Sequence, residues 1–316
     1  MKKIALVAAI AAFAAPAAFA QSSVTLWGRI NTTVESQSSN GDDRKVVVQN
    51  NSSRLGFKGT EDLGGGLKAQ FLLEHGLNSD DGKQTSSAFW NREAAVQLSG
   101  NFGAVKLGRW TNGSYFATAD YISMHNHDTG TSSDALYAFG TAYRESNKVG
   151  YFTPNYAGFT AEITASAGEG APGVERAFDL SANYDMGPIH LGAGYGKEGD
   201  NSQYAIRGLY EMGAFTFGAY WQYEDHASKG VKSTRNIGRV SAMYTMGASE
   251  FHVNVGGTES GGTAGFGGHG GKQYTLGYNY NLSKRTKVYG FYTAIDANDT
   301  KKGDFDSFAA GIRHNF

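Results

Sequence analysis

The sequence predicts an all-β protein, a sixteen-stranded antiparallel transmembrane β-barrel, and three observations lead to this fold class. Apolar and polar residues alternate with a period of two in segment after segment, as in strands with one apolar face. Short turns and long polar loops alternate between these segments, which is the pattern of a bacterial outer-membrane barrel. Glycine reaches 44 of 316 residues, about twice the ordinary ~7%, while proline is only 4. This composition favours continuous sheet over disordered linkers.

The first twenty residues have the layout of a secretory signal peptide. A positive n-region, an apolar h-region and a small-x-small cleavage motif ending at Ala20 follow one another. A membrane-anchoring helix is the alternative, but the apolar run is too short to span a bilayer. We therefore expect residues 1–20 to be removed and residues 21–316 to form one barrel domain. Loss of Lys2 and Lys3 takes the formal net charge from −1 to −3, which argues against a nucleic-acid partner.

The alternation is clear in the first segment after this leader, SVTLWGRINTTVES. Val24, Leu26 and Ile30 fall on one face, and Arg29 and Asn31 fall on the other. The segments FTAEITAS, AFDLSANYDM, FHVNV and QYTLGYNYNL repeat the pattern. No later stretch reaches the ~18 apolar residues of a transmembrane helix. A barrel strand needs only every second residue to be apolar, and a closed ladder needs no disulfide, in keeping with the absence of cysteine.

Seven short turns and eight long loops would join sixteen strands in up-and-down order. The short turns are expected at 62–66, 99–103, 155–158, 186–188, 212–213, 246–249 and 283–285. The long loops are expected at 37–51, 76–87, 111–145, 168–175, 197–202, 225–233, 257–271 and 297–303. An even count places both termini on the short-turn, periplasmic side, with the long loops extracellular. Sixteen strands enclose an aqueous lumen.

A β-sandwich or propeller is the soluble alternative, with its apolar faces turned inward over a core.

The third long loop, residues 111–145, has no sustained period of two and a dense polar and aromatic middle. A loop of this length inside a compact protein is usually functional, and we expect it to fold into the barrel and narrow it. Its candidate acidic residues are Asp120, Asp128 and Asp134, which could equally be solvated loop acids. His125 and His127 belong to an HNHD motif, but two histidines at this spacing are weak evidence for a metal site. We predict neither metal nor cofactor.

Parity places several basic residues on the polar face, which would line the lumen. If Leu55 and Phe57 face lipid, Arg54 and Lys58 face inward. If Val149 and Tyr151 face lipid, Lys148 and Arg144 face inward. A charged side chain on the lipid face near the midplane costs roughly 2–4 kcal/mol, so inward placement is strongly favoured. Arg92 shares parity with apolar neighbours and would need a bulge or a position above the membrane. The alternative is that these are solvated lumen residues with no special role. The inward basic residues are Arg29, Arg54, Lys58, Arg144 and Lys148.

The chain resembles the general porins of Gram-negative outer membranes, most closely the betaproteobacterial branch. The matching segments are SVTLWGRI (23–30), SRLGFKGTEDLGGGLKAQF (53–71), NREAAVQLSGNFGAVKLGR (91–109), SNKVGYFTPNYAGF (146–159), YNYNLSKRTKVYGFY (278–292) and AAGIRHNF (309–316). The resemblance implies a homotrimeric pore in the outer membrane, in contact with its lipids and lipopolysaccharide, that passes ions and small hydrophilic solutes. It also implies that Arg54, Arg92 and Arg144 line the wall opposite the third loop. The terminal Phe316 resembles the aromatic ending by which the outer-membrane assembly machinery recognises its clients.

Three functions are compatible with such a barrel: a passive diffusion channel, a substrate-specific channel with a binding ladder of aromatic residues, and a barrel enzyme such as a phospholipase or protease. Nothing in the sequence resembles a nucleotide loop, a zinc-protease helix or a nucleophile elbow. Most tyrosines share the outward parity, as in an interfacial girdle rather than a lumenal ladder. We therefore expect a passive channel and no enzyme. Because the predicted basic wall outnumbers the loop acids, we also expect a mild anion preference.

Overall fold

The computed structural model describes residues 23–120, 122, 145–170, 174–228, 231–259, 270–297 and 303–316. The predicted signal peptide lies outside these residues. Within them, seventeen strand segments form one closed antiparallel sheet. In chain order the segments are β1 (Ser23–Ser39), β2 (Lys45–Asn50), β3 (Arg54–Gly64), β4 (Leu67–Gly76), β5 (Glu93–Gly100), β6 (Gly103–Arg109), β7 (Lys148–Phe152), β8 (Phe159–Ser166), β9 (Ala177–Met186), β10 (Ile189–Glu198), β11 (Asn201–Met212), β12 (Phe215–Ser228), β13 (Val231–Met246), β14 (Ser249–Thr258), β15 (Gly271–Asn281), β16 (Thr286–Ala297) and β17 (Phe305–Asn315).

The segments β2 and β3 are two halves of one strand, because both pair with β1. Between them, residues 51–53 leave the ladder, and Ser52 has a positive φ of 57°. Counting the two halves as one, the described residues form sixteen strands, so the predicted fold class is confirmed.

The barrel closes between the first and the last strand. β1 pairs with β17 from Arg29 opposite Asn315 to Ser39 opposite Phe305. Beyond this ladder, Gly28 and Phe316 exchange two backbone hydrogen bonds of 3.1 Å each. Closure gives the first and the last strand a partner each, so neither is left as an edge strand toward lipid, where unsatisfied backbone groups would be costly.

The two faces of the sheet are the reverse of those in a soluble protein. On β1 the outward Val24 and Val34 are 69% and 53% exposed, whereas the inward Asn31 and Glu35 are fully buried. The same alternation runs through the other strands, with apolar side chains outside and polar or charged ones inside. No helix among the described residues is long and apolar enough to cross a bilayer.

Aromatic side chains form a row on the outer face near the short-turn end. The ring of Tyr244 lies 4.8 Å from Phe215 and 6.3 Å from Phe251, and Phe251 lies 5.1 Å from Tyr278. These residues come from four neighbouring strands and are all exposed. Their placement is that of an interfacial aromatic girdle, as the outward parity of the tyrosines predicts.

The described connections alternate between the two ends of the barrel as predicted. At the long-loop end, however, several connections are shorter than predicted. The connection predicted at 197–202 is a two-residue turn, because β10 runs to Glu198 and β11 begins at Asn201. Likewise β12 continues to Ser228 and β13 resumes at Val231, inside the predicted loop 225–233, and the predicted loop 37–51 contains the end of β1 and all of β2. The stretches 197–202 and 225–233 are polar on both faces, which reads as a loop in the sequence. A barrel strand that extends beyond the membrane contacts water on both faces. It can therefore keep its backbone hydrogen bonds to neighbouring strands without having an apolar face.

Candidate pore constriction

The beginning of the third long loop lies against the interior wall of the barrel. Residues 111–120 and 122, the inner segment, form a helical turn over Gly113–Tyr115 followed by a π-helical turn over Phe116–Asp120. Among the hydrogen bonds that join the inner segment to the wall, three reach three different strands. They run from the Ser114 amide to Asp179 Oδ1 (3.0 Å), from Arg207 Nε to the Ala117 carbonyl (2.7 Å) and from Ser241 Oγ to the Ile122 carbonyl (3.0 Å).

An apolar cluster holds the far end of the inner segment. Ala119 and Ile122, both almost fully buried, belong to one cluster with Leu209, Tyr220 and Ile237 from the wall. These three wall positions are apolar although they face the interior, where polar residues prevail. The inner segment covers them, so their burial follows the ordinary hydrophobic preference.

The start of the loop, Trp110 to Asn112, which we call the stem, is fixed by Trp110 and the cations around it. The indole Nε1 donates to Glu162 Oε1 at 2.9 Å. Lys148 Nζ donates to the Trp110 carbonyl (3.2 Å) and to Asn112 Oδ1 (2.8 Å), and it lies 4.7 Å from the indole centroid. Lys106 Nζ lies 4.9 Å from the indole centroid and forms an ion pair with Glu93. Lys148 faces the interior but is only 3% exposed, because the stem covers its ammonium group.

Three of the predicted basic residues meet at the break between β2 and β3. Arg29 and Arg54 are register partners, and both donate to the Ser52 carbonyl, at 3.3 and 3.2 Å. Arg54 Nη1 and Arg92 Nε lie 3.4 and 2.5 Å from the same Glu74 oxygen. The break between β2 and β3 thus presents the Ser52 carbonyl to the guanidinium groups of Arg29 and Arg54. The Glu74 carboxylate then links Arg54 to Arg92. We call Arg29, Arg54, Arg92 and Glu74 the basic group.

Arg92 joins this group because of its place in the chain. It immediately precedes β5, which begins at Glu93, so the strand alternation does not govern its direction. Lys58 shares the interior face, since it pairs with Thr25 across the ladder. Its ammonium group lies 6.0 Å from the Trp27 ring, and the side chain is exposed to the lumen.

The other predicted site residues are distributed as follows. Asp120 ends the π-helical turn and is half-buried. Phe316 follows β17, with its ring over Gly28. Arg144, Asp128, Asp134, His125 and His127 lie outside the described residues. Within the described ranges, no cluster of three or more histidine, aspartate or glutamate side chains could hold a metal ion.

Sequence reasoning missed several charged residues of the interior. Glu74 shares the parity of Lys68 and Gln70 on β4, so the alternation itself could have placed it inward. Arg313 pairs with Lys287 across the ladder, and Lys287 Nζ lies 3.5 Å from Glu250. Arg313 has the opposite parity to the outward Phe308 and Ile312, which was the available signal.

Comparisons with known proteins agree with this architecture. The family model described as Gram-negative porin matches residues 5–300. Outer membrane porin protein 32 of Delftia acidovorans is 33% identical over 92% of this chain and 88% of its own. An outer membrane porin protein of Bordetella pertussis is 28% identical over the full length of both chains. Among solved structures, an anion-selective porin from Comamonas acidovorans superposes with a TM-score of 0.80 at 27% identity, over 94% of this chain and 100% of that one.

Proposed function

Because this chain belongs to the Gram-negative porin family, we propose that it is an outer-membrane channel through which ions and small hydrophilic solutes diffuse passively, with a mild preference for anions. The observation that carries the proposal is the basic group on the interior wall of a closed barrel that also contains the inner segment. Two guanidinium groups, those of Arg54 and Arg92, share one Glu74 oxygen there, and Arg29 shares the Ser52 carbonyl with Arg54. The Comamonas acidovorans relative described as anion-selective supports the same sign of preference.

The basic group decides the preference because distant charges are screened. At physiological ionic strength the Debye length is about 8 Å, so the charge on outer loops and turns barely reaches an ion in the narrowest part. The expected net charge of −3 is therefore a poor guide. An ion responds to the groups that line its path. Arg144, for which the family resemblance implies a position on the same wall, would add to the basic group. Lys148 would not, since the stem covers it.

The decisive experiment is a reversal-potential measurement in a potassium chloride gradient across a planar bilayer containing the purified protein. We expect the sign that indicates chloride permeating faster than potassium. A channel that prefers potassium would mean that the basic group does not govern the field and that the loop acids Asp120, Asp128 and Asp134 dominate it.

Liposome swelling separates passive diffusion from the two other functions. For a passive channel, swelling rates fall smoothly with the size of the sugar. A substrate-specific channel would instead favour one sugar beyond what its size explains. A lipase or protease assay on the same preparation tests for a barrel enzyme, and the relatives found are porins, which are channels.

We further propose that the protein is exported by residues 1–20 and assembles as a homotrimer. Support for an assembly comes from the outer face around β1. Thr32 lies in the outward row between the apolar Ile30 and Val34, and its hydroxyl lies 2.6 Å from Ser79 Oγ. Ser79 also donates to Asn50 Oδ1 at 3.1 Å. These groups bond to one another, and a second copy of the chain would offer them further hydrogen-bond partners that lipid does not.

The remaining proposed partners follow from the location in the outer membrane. Lipids and lipopolysaccharide would contact the apolar outer face, and the assembly machinery would bind the last strand through Phe316. The exposed ring of Phe316 at the closing seam supports the latter.

A further inference from the structure

The interior wall behind the inner segment lacks side chains at the points of closest approach. Gly192 and Gly194 on β10 both face the interior. A Cβ atom at Gly192 would lie 2.0 Å from the Ala117 carbonyl oxygen, and one at Gly194 would lie 2.6 Å from Ser114 Cβ. At Gly194 the close atoms are backbone and Cβ atoms of Ser114, and at Gly192 the closest is the Ala117 backbone carbonyl, none of which can rotate aside; Arg207 Nε would also lie 2.6 Å from a Cβ at Gly192. Only glycine fits at these two positions while the inner segment stays where it is.

A third glycine continues the pattern two strands away. A Cβ atom at Gly218 on β12 would lie 2.7 Å from Ile122 Cδ1 and 2.8 Å from Ser241 Oγ. Here the obstacles are the ends of side chains, so a small rearrangement could relieve the contact. Gly218 is therefore the milder member of the set.

We propose that Gly192, Gly194 and Gly218 form a recess in the wall, the glycine recess, that holds the inner segment and so sets the width of the channel. This inference rests on the proposed function, since the width matters only in a barrel that conducts. It assigns to wall residues without any charge or side chain a part in determining which solutes pass.

The wall is the stiffer of the two partners. β10 is paired along its whole length, from Ile189 to Glu198, with β9 on one side and β11 on the other. The inner segment is held by separate hydrogen bonds and an apolar cluster. Ordinary van der Waals contact begins near 3.4 Å, so an alanine at position 192 requires the Ala117 carbonyl to move by about 1.4 Å. The free direction for that movement is into the lumen.

The test compares single-channel conductance and the largest sugar admitted in liposome swelling among glycine variants. Gly192→Ala and Gly194→Ala should both lower the conductance and the size limit, and Gly218→Ala should do so less. The matched control is Gly277→Ala, also on the interior face, where the nearest atom to a new Cβ is His252 Cβ at 3.7 Å. The control should behave like the parent protein. Assembly of each variant is checked by its heat-dependent shift in detergent gels.

A cross-linking measurement makes the outcome independent of conduction. The chain has no cysteine, so Ser114→Cys with Asp179→Cys introduces a single pair at a site where the two side chains already touch. The disulfide should form more slowly when Gly194→Ala is added than when Gly277→Ala is added. Equal rates, or conductances of Gly192→Ala and Gly218→Ala that match the control, would overturn the inference.

The two proposals fail in different ways. A parent protein that forms no channel refutes the proposed function. The cross-linking rates then test the glycine recess by themselves, because they do not depend on conduction. If Gly192→Ala does not assemble, Gly218→Ala decides: a lowered conductance supports the recess, and an unchanged one overturns it.

Discussion

At the scale of single residues, Glu74 controls how much positive charge the basic group presents. It bridges Arg54 and Arg92 and is itself mostly buried. Glu74→Gln keeps the shape and removes one negative charge, so we expect a stronger anion preference. A unit charge 4 Å away contributes about 1 kcal/mol in water, which is roughly a fivefold change in local ion concentration. The reversal potential in a salt gradient measures the change.

The matched control for this prediction is Glu61→Gln. It changes the net charge of the protein by the same amount, but Glu61 is exposed near the turn at 62–66. Screening should leave the reversal potential almost unchanged. Arg54→Gln should shift it in the opposite direction. If Glu61→Gln and Glu74→Gln act alike, the overall charge rather than the wall governs selectivity.

Lys148 is expected to affect stability rather than ion selectivity. Its ammonium group is buried and bonds to Trp110 and Asn112 in the stem. Lys148→Met leaves these buried acceptors unsatisfied, at a cost of about 1–3 kcal/mol. The temperature at which the folded band disappears in a detergent-gel melt should fall, while the reversal potential stays near that of the parent. A large loss of anion preference without loss of stability would show that Lys148 faces the ions.

At the scale of elements, alternation alone predicts the strands because lipid and water impose opposite demands on the two faces. The same rule predicted loops at 197–202, 225–233 and 37–51, where strands in fact continue into the predicted loops. The alternation correctly predicted that Lys148 faces the interior. It could not predict that the side chain is buried, because the burial depends on the stem of the third long loop. Arg92 stands outside any strand, so no period could place it. Contacts between elements far apart in the chain leave no local pattern.

The last strand ends in a residue that serves the seam and, we propose, recognition. Phe316 exchanges backbone hydrogen bonds with Gly28, and its ring is 42% exposed on the outer face. Deleting Phe316 should lower the yield of assembled barrel in cells more than it lowers refolding in detergent, because only cells supply the assembly machinery. The control is Phe308→Ala, which removes another exposed outward ring from the same strand. Equal losses in cells and in detergent would assign Phe316 to packing alone.

At the scale of the whole molecule, the polar network around Thr32 and Ser79 interrupts the apolar outer face, where we propose that a second copy of the chain packs. We expect unboiled protein to migrate as an oligomer in detergent gels and to give one monomer band after boiling. Light scattering in mild detergent should give the mass of three chains with their detergent. A monomer under those conditions contradicts the trimer.

The pairing of the first strand with the last also governs the order of events during biogenesis. Arg29 finds its partner Asn315 only when almost the entire chain has been delivered. Until then, one edge of β1 has no neighbour and the outward apolar rows have no lipid around them. A nascent chain with such an open edge is prone to pair with other chains. The ladder between β1 and β17 can therefore form only after the last strand is available, which makes closure a late step in folding.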